Sequence, residues 1–273
     1  MTSSLIFYSQ TAELLEGPVY DYENNYLYFV SIFDGLVYCY TPLTKELLSI
    51  KLSSPASCIY ILKEKEVLVA SKDGFFEVNF NTLETAFAFQ IETNPLVRYN
   101  DGIADPKGRV IIGTMGYPEI KKNIGNVYSY YKGEYKVIIK NTTISNGLAF
   151  SLDEKFLYFI DTPVKKVAKY KYDLDSGDVV FDSYVIEFNG KGSPDGMTID
   201  DKGMLWIAEW GGSCVSQWNP LTGELLNKIE LPHKNVTSCC FDNNANLYIT
   251  TAMDDTDANP NGGGLFYIQL NQS

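Results

Sequence analysis

Residues 193–210 read SPDGMTIDDKGMLWIAEW. A short strand-like run follows Asp195 and Gly196. A polar turn comes next (Asp200, Asp201, Lys202, Gly203), and then an aliphatic and aromatic run ending at Trp210. Two strands across a tight polar turn describe an antiparallel pair. The same phrase occurs as SNGLAFSLDEKFLYFIDT at 145–162, YNDGIADPKGRVIIGTM at 99–115 and LEGPVYDYENNYLYFVS at 15–31. The slot held by Asp195 is held there by Asn146, Asn100 and Glu16.

The second strand of the pair recurs more widely. LYFVS starts at Leu27, VLVAS at Val67, VIIGT at Val110, LYFID at Leu157, LWIAE at Leu205 and LYITT at Leu247, with spacings of 40, 43, 47, 48 and 42 residues. Each has a strand-like run before it and another after it, such as GLVYCY, GNVYSYY or CVSQWN. Most then reach a further turn and a fourth run, such as LLSIKL or LLNKIEL. Helical periodicity is nearly absent, and β-branched and aromatic residues fit strands. Four strands per unit and a period in the forties predict an all-β, six-bladed β-propeller of four-stranded blades, forming a single domain over residues 1–273. The last unit is one strand short. SLIFYSQ at 4–10 precedes the first unit and is expected to close the last blade, removing two sheet edges. A two-sheet sandwich does not explain six near-equal repeats.

Composition narrows the function. The chain has 273 residues and a formal charge of −12, without the basic stripe a nucleic acid requires. The N-terminus lacks the basic region of a signal peptide, and no apolar run has the length to span a bilayer. The five cysteines form no CxxC pair, so free thiols in a cytoplasmic, monomeric protein away from membranes are expected. Cys239 and Cys240 are expected in the core. The one histidine, His233, follows a proline in a connection and is expected at the surface. NPNGGGLF at 259–266 lacks the strand-before, helix-after context of a phosphate loop and reads as a turn.

Glu16, Asn100, Asn146 and Asp195 each precede a turn residue (Asp21, Asp105, Ser151, Asp200) by five positions. In a propeller, equivalent positions at the start of the innermost strands converge on the central channel. Ser57 or Cys58, and Thr237, fall at about the same register. An Asx-Gly step also serves as an ordinary turn cap. Four such positions in equivalent units, one of them a glutamate, favour a site. Carboxylates brought together repel unless one is protonated or a cation lies between them. Oxygen donors favour hard divalent ions such as calcium, magnesium or manganese, and an incomplete protein shell leaves room for water or substrate.

EGPVYD, RYNDGIADPKGRVIIGTM, SNGLAFSLDEKFLYFIDT, SPDGMTIDDKGMLWIAEWGG and LPHKNVTSCCFDNNANLYITTA occur in this order from about Leu15 onward. As a set they resemble the senescence marker protein/regucalcin and gluconolactonase family, which includes the insect luciferin-regenerating enzymes. The resemblance implies a six-bladed propeller with one divalent cation, calcium by expectation, with zinc, magnesium and manganese as alternatives. It implies a gluconolactonase-like hydrolase opening small sugar lactones. It places the metal ligands on Glu16, Asn146 and Asp195, and substrate contacts on Arg98 and Asn100. Asp195 matches the family's proton donor and acceptor. The segment MGYPEIKKNIG, 115–125, stands where the family has a lid loop, and Glu119 is the match to its substrate-binding glutamate. Two other functions fit the same site: calcium-dependent regulation without turnover, and phosphotriester hydrolysis. A propeller serving only as a protein scaffold would have no use for the ring of oxygen ligands.

Overall fold

The structure is a computed structural model and describes residues 3–8, 12–254 and 263–270. Strand β1 is Ser3–Tyr8. One sheet comprises β2 (Leu15–Asp21), β3 (Tyr26–Ser31), β4 (Leu36–Thr41) and β5 (Glu46–Lys51). The next holds β6 (Ala56–Lys63), β7 (Glu66–Ser71), β8 (Gly74–Asn79) and β9 (Glu84–Phe89). A third holds β10 (Val97–Ala104), β11 (Val110–Gly116), β12 (Gly125–Tyr131) and β13 (Glu134–Thr142). A fourth holds β14 (Ser145–Phe150), β15 (Phe156–Asp161), β16 (Lys166–Asp173) and β17 (Asp178–Glu187). The remaining strands are β18 (Ser193–Ile199), β19 (Leu205–Trp210), β20 (Cys214–Asn219), β21 (Glu224–Glu230), β22 (Asn235–Phe241), β23 (Leu247–Ala252) and β24 (Gly264–Ile268).

The all-β propeller class is found, but the expected count of six separate blades is not. Four sheets are separate and four-stranded; β18–β24 and β1 form one eight-stranded sheet. The joint is the pairing of Trp210 on β19 with Asn235 on β22. The chain after β19 is drawn onto the connection before β22, where the Ser213 amide donates to the Lys234 carbonyl at 3.1 Å. A six-fold sequence repeat therefore does not translate into six separate sheets. Within the large sheet, β1 pairs antiparallel with β24, so the N-terminal strand ends next to the C-terminal one. Residues 9 and 10 of the expected closing strand, and 259–262 of the glycine-rich turn, lie outside the described residues.

Side-chain alternation explains why the repeated phrases are apolar throughout. Successive strand residues face opposite sides of a sheet. On β3, Leu27 and Phe29 face β23 and β24, packing with Tyr248 and Leu265. Tyr28 and Val30 face the other way, onto Ile59, Val67 and Val69 of the second sheet. A strand covered on both faces needs no polar alternation. The two halves of the large sheet also pack on one another, Trp206 and Val215 against Phe241, Leu247 and Ile249. The turns are held by a repeated device. Asp105, Asp200 and Asp242 each accept two amides of the following turn, at 2.7–3.0 Å.

The five cysteines are buried and free, Cys239 and Cys240 among them. His233 is not at the surface: it is buried, with its ring 4.9 Å from that of Phe266. Leu231 and His233 face inward while Pro232 and Lys234 are exposed, so the connection alternates like a strand. Among the described residues no helix is long and apolar enough to cross a membrane.

The first strands of the units, β2, β6, β10, β14, β18 and β22, touch in cyclic order, β22 returning to β2. Glycines let them approach. A Cβ on Gly196 would collide with the Ser238 hydroxyl and lie 2.9 Å from the Ser238 Cα. Gly196→Ala is expected to lower stability by about 1–3 kcal/mol through overpacking. Gly190→Ala, where a Cβ meets nothing within 4 Å, serves as the control and should be near neutral. Urea denaturation of both variants checks this; equal stabilities would remove the close approach as a constraint.

Candidate functional site

Each inner strand carries an irregular step at the same place. The register with its neighbour shifts between Glu16 and Val19, Ala56 and Cys58, Tyr99 and Gly102, Ser145 and Leu148, Pro194 and Met197, and Val236 and Ser238. Such bulges bend a strand and re-aim its side chains. Here they release Glu16, Asn100, Asn146 and Asp195 from strict alternation and turn them into one cavity.

That cavity has a volume of about 370 Å³. Glu16, Arg98, Asn100, Asn146, Thr162 and Asp195 provide its polar lining. All but Thr162 are buried. The structure thus gathers every sequence-derived candidate except Glu119. Pro118 and Ile120 line the cavity, whereas Glu119 between them is exposed and lies off it. The segment folds back so tightly that a Cβ on Gly116 would lie 2.5 Å from the Glu119 carbonyl oxygen.

A chain of hydrogen bonds runs across the floor. Arg98 Nη1 donates to the Tyr99 carbonyl at 2.9 Å and to Asn100 Oδ1 at 2.7 Å. Asn100 Nδ2 donates to the Ser145 carbonyl and to Asn146 Oδ1, both at 2.8 Å. Asn146 Nδ2 donates to Thr162 Oγ1 at 2.8 Å, and the Thr162 hydroxyl donates to the Pro194 carbonyl at 2.8 Å. Asn100 is therefore a bridge between the guanidinium and the second carboxamide. Glu16 Oε2 accepts the Gly17 amide at 2.8 Å. Among the described residues none donates a hydrogen bond to the Asp195 carboxylate.

The electrostatics are unbalanced. Burial and the charge of Asp101 push the Glu16 carboxyl up to about 8, against the Gly17 amide and Arg98. Burial raises Asp195 well above the carboxylate range, with Glu16 and Asp101 adding to it and Arg98 opposing. Asp101 is raised to about 6 by burial, with the Gly102 amide opposing. Burial presses Arg98 down to about 10, so it remains a cation at neutral pH. Ionised Glu16 and Asp195 against the one guanidinium leave a negative charge in the cavity, and half-buried Asp101, off its lining, adds to it. A divalent cation neutralises that charge, and Glu16, Asn146 and Asp195 offer oxygen donors of the kind hard cations take. Among the described residues no three His, Cys, Asp or Glu side chains cluster to hold a metal. The donor set that fits is two carboxylates with a carboxamide.

Sequence reasoning missed Asp101 and Thr162. The bulge at 99–102 was the available signal for Asp101, because a bulge carries two adjacent residues past one partner. Thr162 ends the phrase FIDT, one residue beyond the repeated strand, and nothing in its spacing marks it. A larger cleft of about 820 Å³ lies by Tyr20, Tyr40, Tyr248 and Asp242. Its carboxylate is already engaged, by the Asn244 and Asn246 amides and the Tyr267 hydroxyl.

The chain belongs to the SMP-30/gluconolactonase/LRE-like family, whose model matches residues 14–253. It is 35% identical over 265 residues to a Bacillus subtilis protein described as a "putative sugar lactone lactonase YvrE", covering 93% of this chain and 90% of that one. Its fold is similar to that of a luciferin-regenerating enzyme, with a TM-score of 0.91, 26% identity, and coverage of 99% of this chain and 96% of the other. It is also similar to a calcium-binding protein, regucalcin, from Agrobacterium tumefaciens, with a TM-score of 0.90, 26% identity, and coverage of 97% and 92%.

The raised carboxyls give a pH signature. Glu16 and Asp101 bind protons more tightly folded than unfolded, so in metal-free protein the folded state carries more protons between about pH 4.5 and 8. Their contribution to stability is complete below the unfolded carboxyl pKa and is lost as pH rises through about 6 and then about 8. Melting of the metal-free protein should fall over this window, and Glu16→Gln should flatten the fall. A slope unchanged by Glu16→Gln would show that Glu16 is not held protonated.

Proposed function

We propose that the protein is a divalent-metal-dependent hydrolase that opens lactone rings. The observation that carries this reading is the convergence of Glu16, Asn146 and Asp195 in one cavity where two carboxyls face a single guanidinium. The family and the lactonase description of the Bacillus subtilis relative support the reaction class. The calcium-binding description of the Agrobacterium relative supports calcium as the ion.

Glu16, Asn146 and Asp195 would hold the cation, which supplies Lewis-acid polarisation of the ring carbonyl. Asp195 acts as the base. Its carboxylate, without a hydrogen-bond donor of its own, takes a proton from the attacking water. The water oxygen forms a bond to the carbonyl carbon, and the bond from that carbon to the ring oxygen breaks. Asp195 returns the proton to the departing ring oxygen, and the product is a hydroxy acid. Asn100 keeps Arg98 and Asn146 in place through its two ends. Among the described residues Arg98 Nη2 has no acceptor, so the guanidinium can take a substrate oxygen. Thr162 ties Asn146 to the Pro194 carbonyl, one residue before Asp195.

Chelation should abolish hydrolysis of a lactone panel, and calcium, zinc, magnesium or manganese should restore it. Undiminished activity in metal-free protein would defeat the reading. Asp195→Asn should lower kcat by at least about a hundredfold, the scale of a general base. Asn100→Ala removes bridging hydrogen bonds of roughly 1 kcal/mol each, so metal affinity should weaken by about tenfold rather than vanish. Calorimetry separates the two variants: loss of all binding in Asn100→Ala would make Asn100 a ligand.

A further inference from the structure

Resting on the hydrolase reading above, we infer that the substrate is a lactone bearing an apolar hydrocarbon substituent rather than a bare polyhydroxylated one. Ten of the sixteen residues lining the cavity are apolar, aromatic or glycine, and all six polar ones belong to its floor. Above the floor the wall includes Phe33, Met115, Tyr117, Ile120, Ile144 and Trp210. The Tyr117 hydroxyl and the Trp210 indole N–H are the only hydrogen-bonding side-chain groups among these wall residues. Glu119, which would have offered a polar contact from the lid segment, is off the cavity, while its neighbours Pro118 and Ile120 are on it.

A sugar lactone brings several ring hydroxyls, and each one moved against Phe, Ile or Met gives up water without a partner. The floor cannot serve them all. Asn100 and Asn146 are bound to each other and to Arg98 and Thr162. A hydrocarbon substituent meets the opposite situation. Phe33, Ile120 and Trp210 are 46%, 61% and 39% exposed, so three large apolar side chains stand in water at one mouth. A chain lying on them removes apolar surface on both sides. The wall is continuous with the reactive floor, so ring and substituent occupy one cavity.

The test is a chain-length series with calcium-loaded protein: γ-butyrolactone and γ-lactones with alkyl substituents of two to eight carbons, compared with glucono-δ-lactone. The expected result is a rise in kcat/KM of roughly threefold per methylene until the wall is covered, mostly through KM. The longer lactones should exceed glucono-δ-lactone. Ile120→Ser and Phe33→Ser alter exposed side chains and should fold; each should reduce the chain-length slope by raising KM for the long members. A flat series, a preference for glucono-δ-lactone, or a slope unchanged in both variants overturns the inference and leaves the hydrolase reading standing. Failure to hydrolyse any lactone overturns the hydrolase reading, and the inference with it.

Discussion

Burying Glu16 and Asp195 in one cavity with a single guanidinium is the constraint on which the rest of this molecule turns. Charge removed from water is costly unless it is paired. The charge of Arg98 opposes part of that cost, and its guanidinium is held in place by Asn100. The remainder appears as carboxyls pushed far toward the protonated form. A fold that maintains such an arrangement without relaxing it has to be rigid at that point. Bulges in the inner strands aim the side chains, and glycines beside them let neighbouring strands close in.

The rigidity comes from outside the cavity. Strands such as β3 are covered on both faces, so sheet packs against sheet around the ring. Turn aspartates fix the far ends of the hairpins and in some cases reach outward. Asp200 accepts the Trp206 indole and the Gln217 amide, and Asp105 binds Arg109 and the Tyr172 hydroxyl. Glu16, Asn100, Asn146 and Asp195 are thereby each carried on a strand, not on a free loop. The hydrogen-bond chain from Arg98 to the Pro194 carbonyl spans three sheets and couples their positions.

Much of this was legible in the sequence because the fold is repetitive. The strands, the Asx turns and the register of Glu16, Asn100, Asn146 and Asp195 follow from phrases that recur with regular spacing. What was not legible depends on contacts between units. The merging of the last two units rests on the Trp210–Asn235 pairing, which no periodicity encodes. His233 looked like a loop residue, but its connection alternates like a strand and packs it on Phe266. Asp101 was hidden by its neighbour Asn100, since the eye takes one residue per unit where the bulge presents two. Glu119 shows the opposite error. It was expected to contact substrate, but the tight return over Gly116 leaves it in solvent and puts Pro118 and Ile120 on the cavity.

The central claim is that the cavity exchanges protons for a divalent cation. Calorimetric titration of metal-free protein with calcium at pH 7, in two buffers of different ionisation enthalpy, measures the protons released. Glu16, raised to about 8, and Asp195, raised well above the carboxylate range, must both ionise to serve as ligands. The account predicts release of more than one proton per calcium bound, with affinity rising as pH increases from 6 to 8. Binding without proton release, or no binding of any divalent cation, would contradict it.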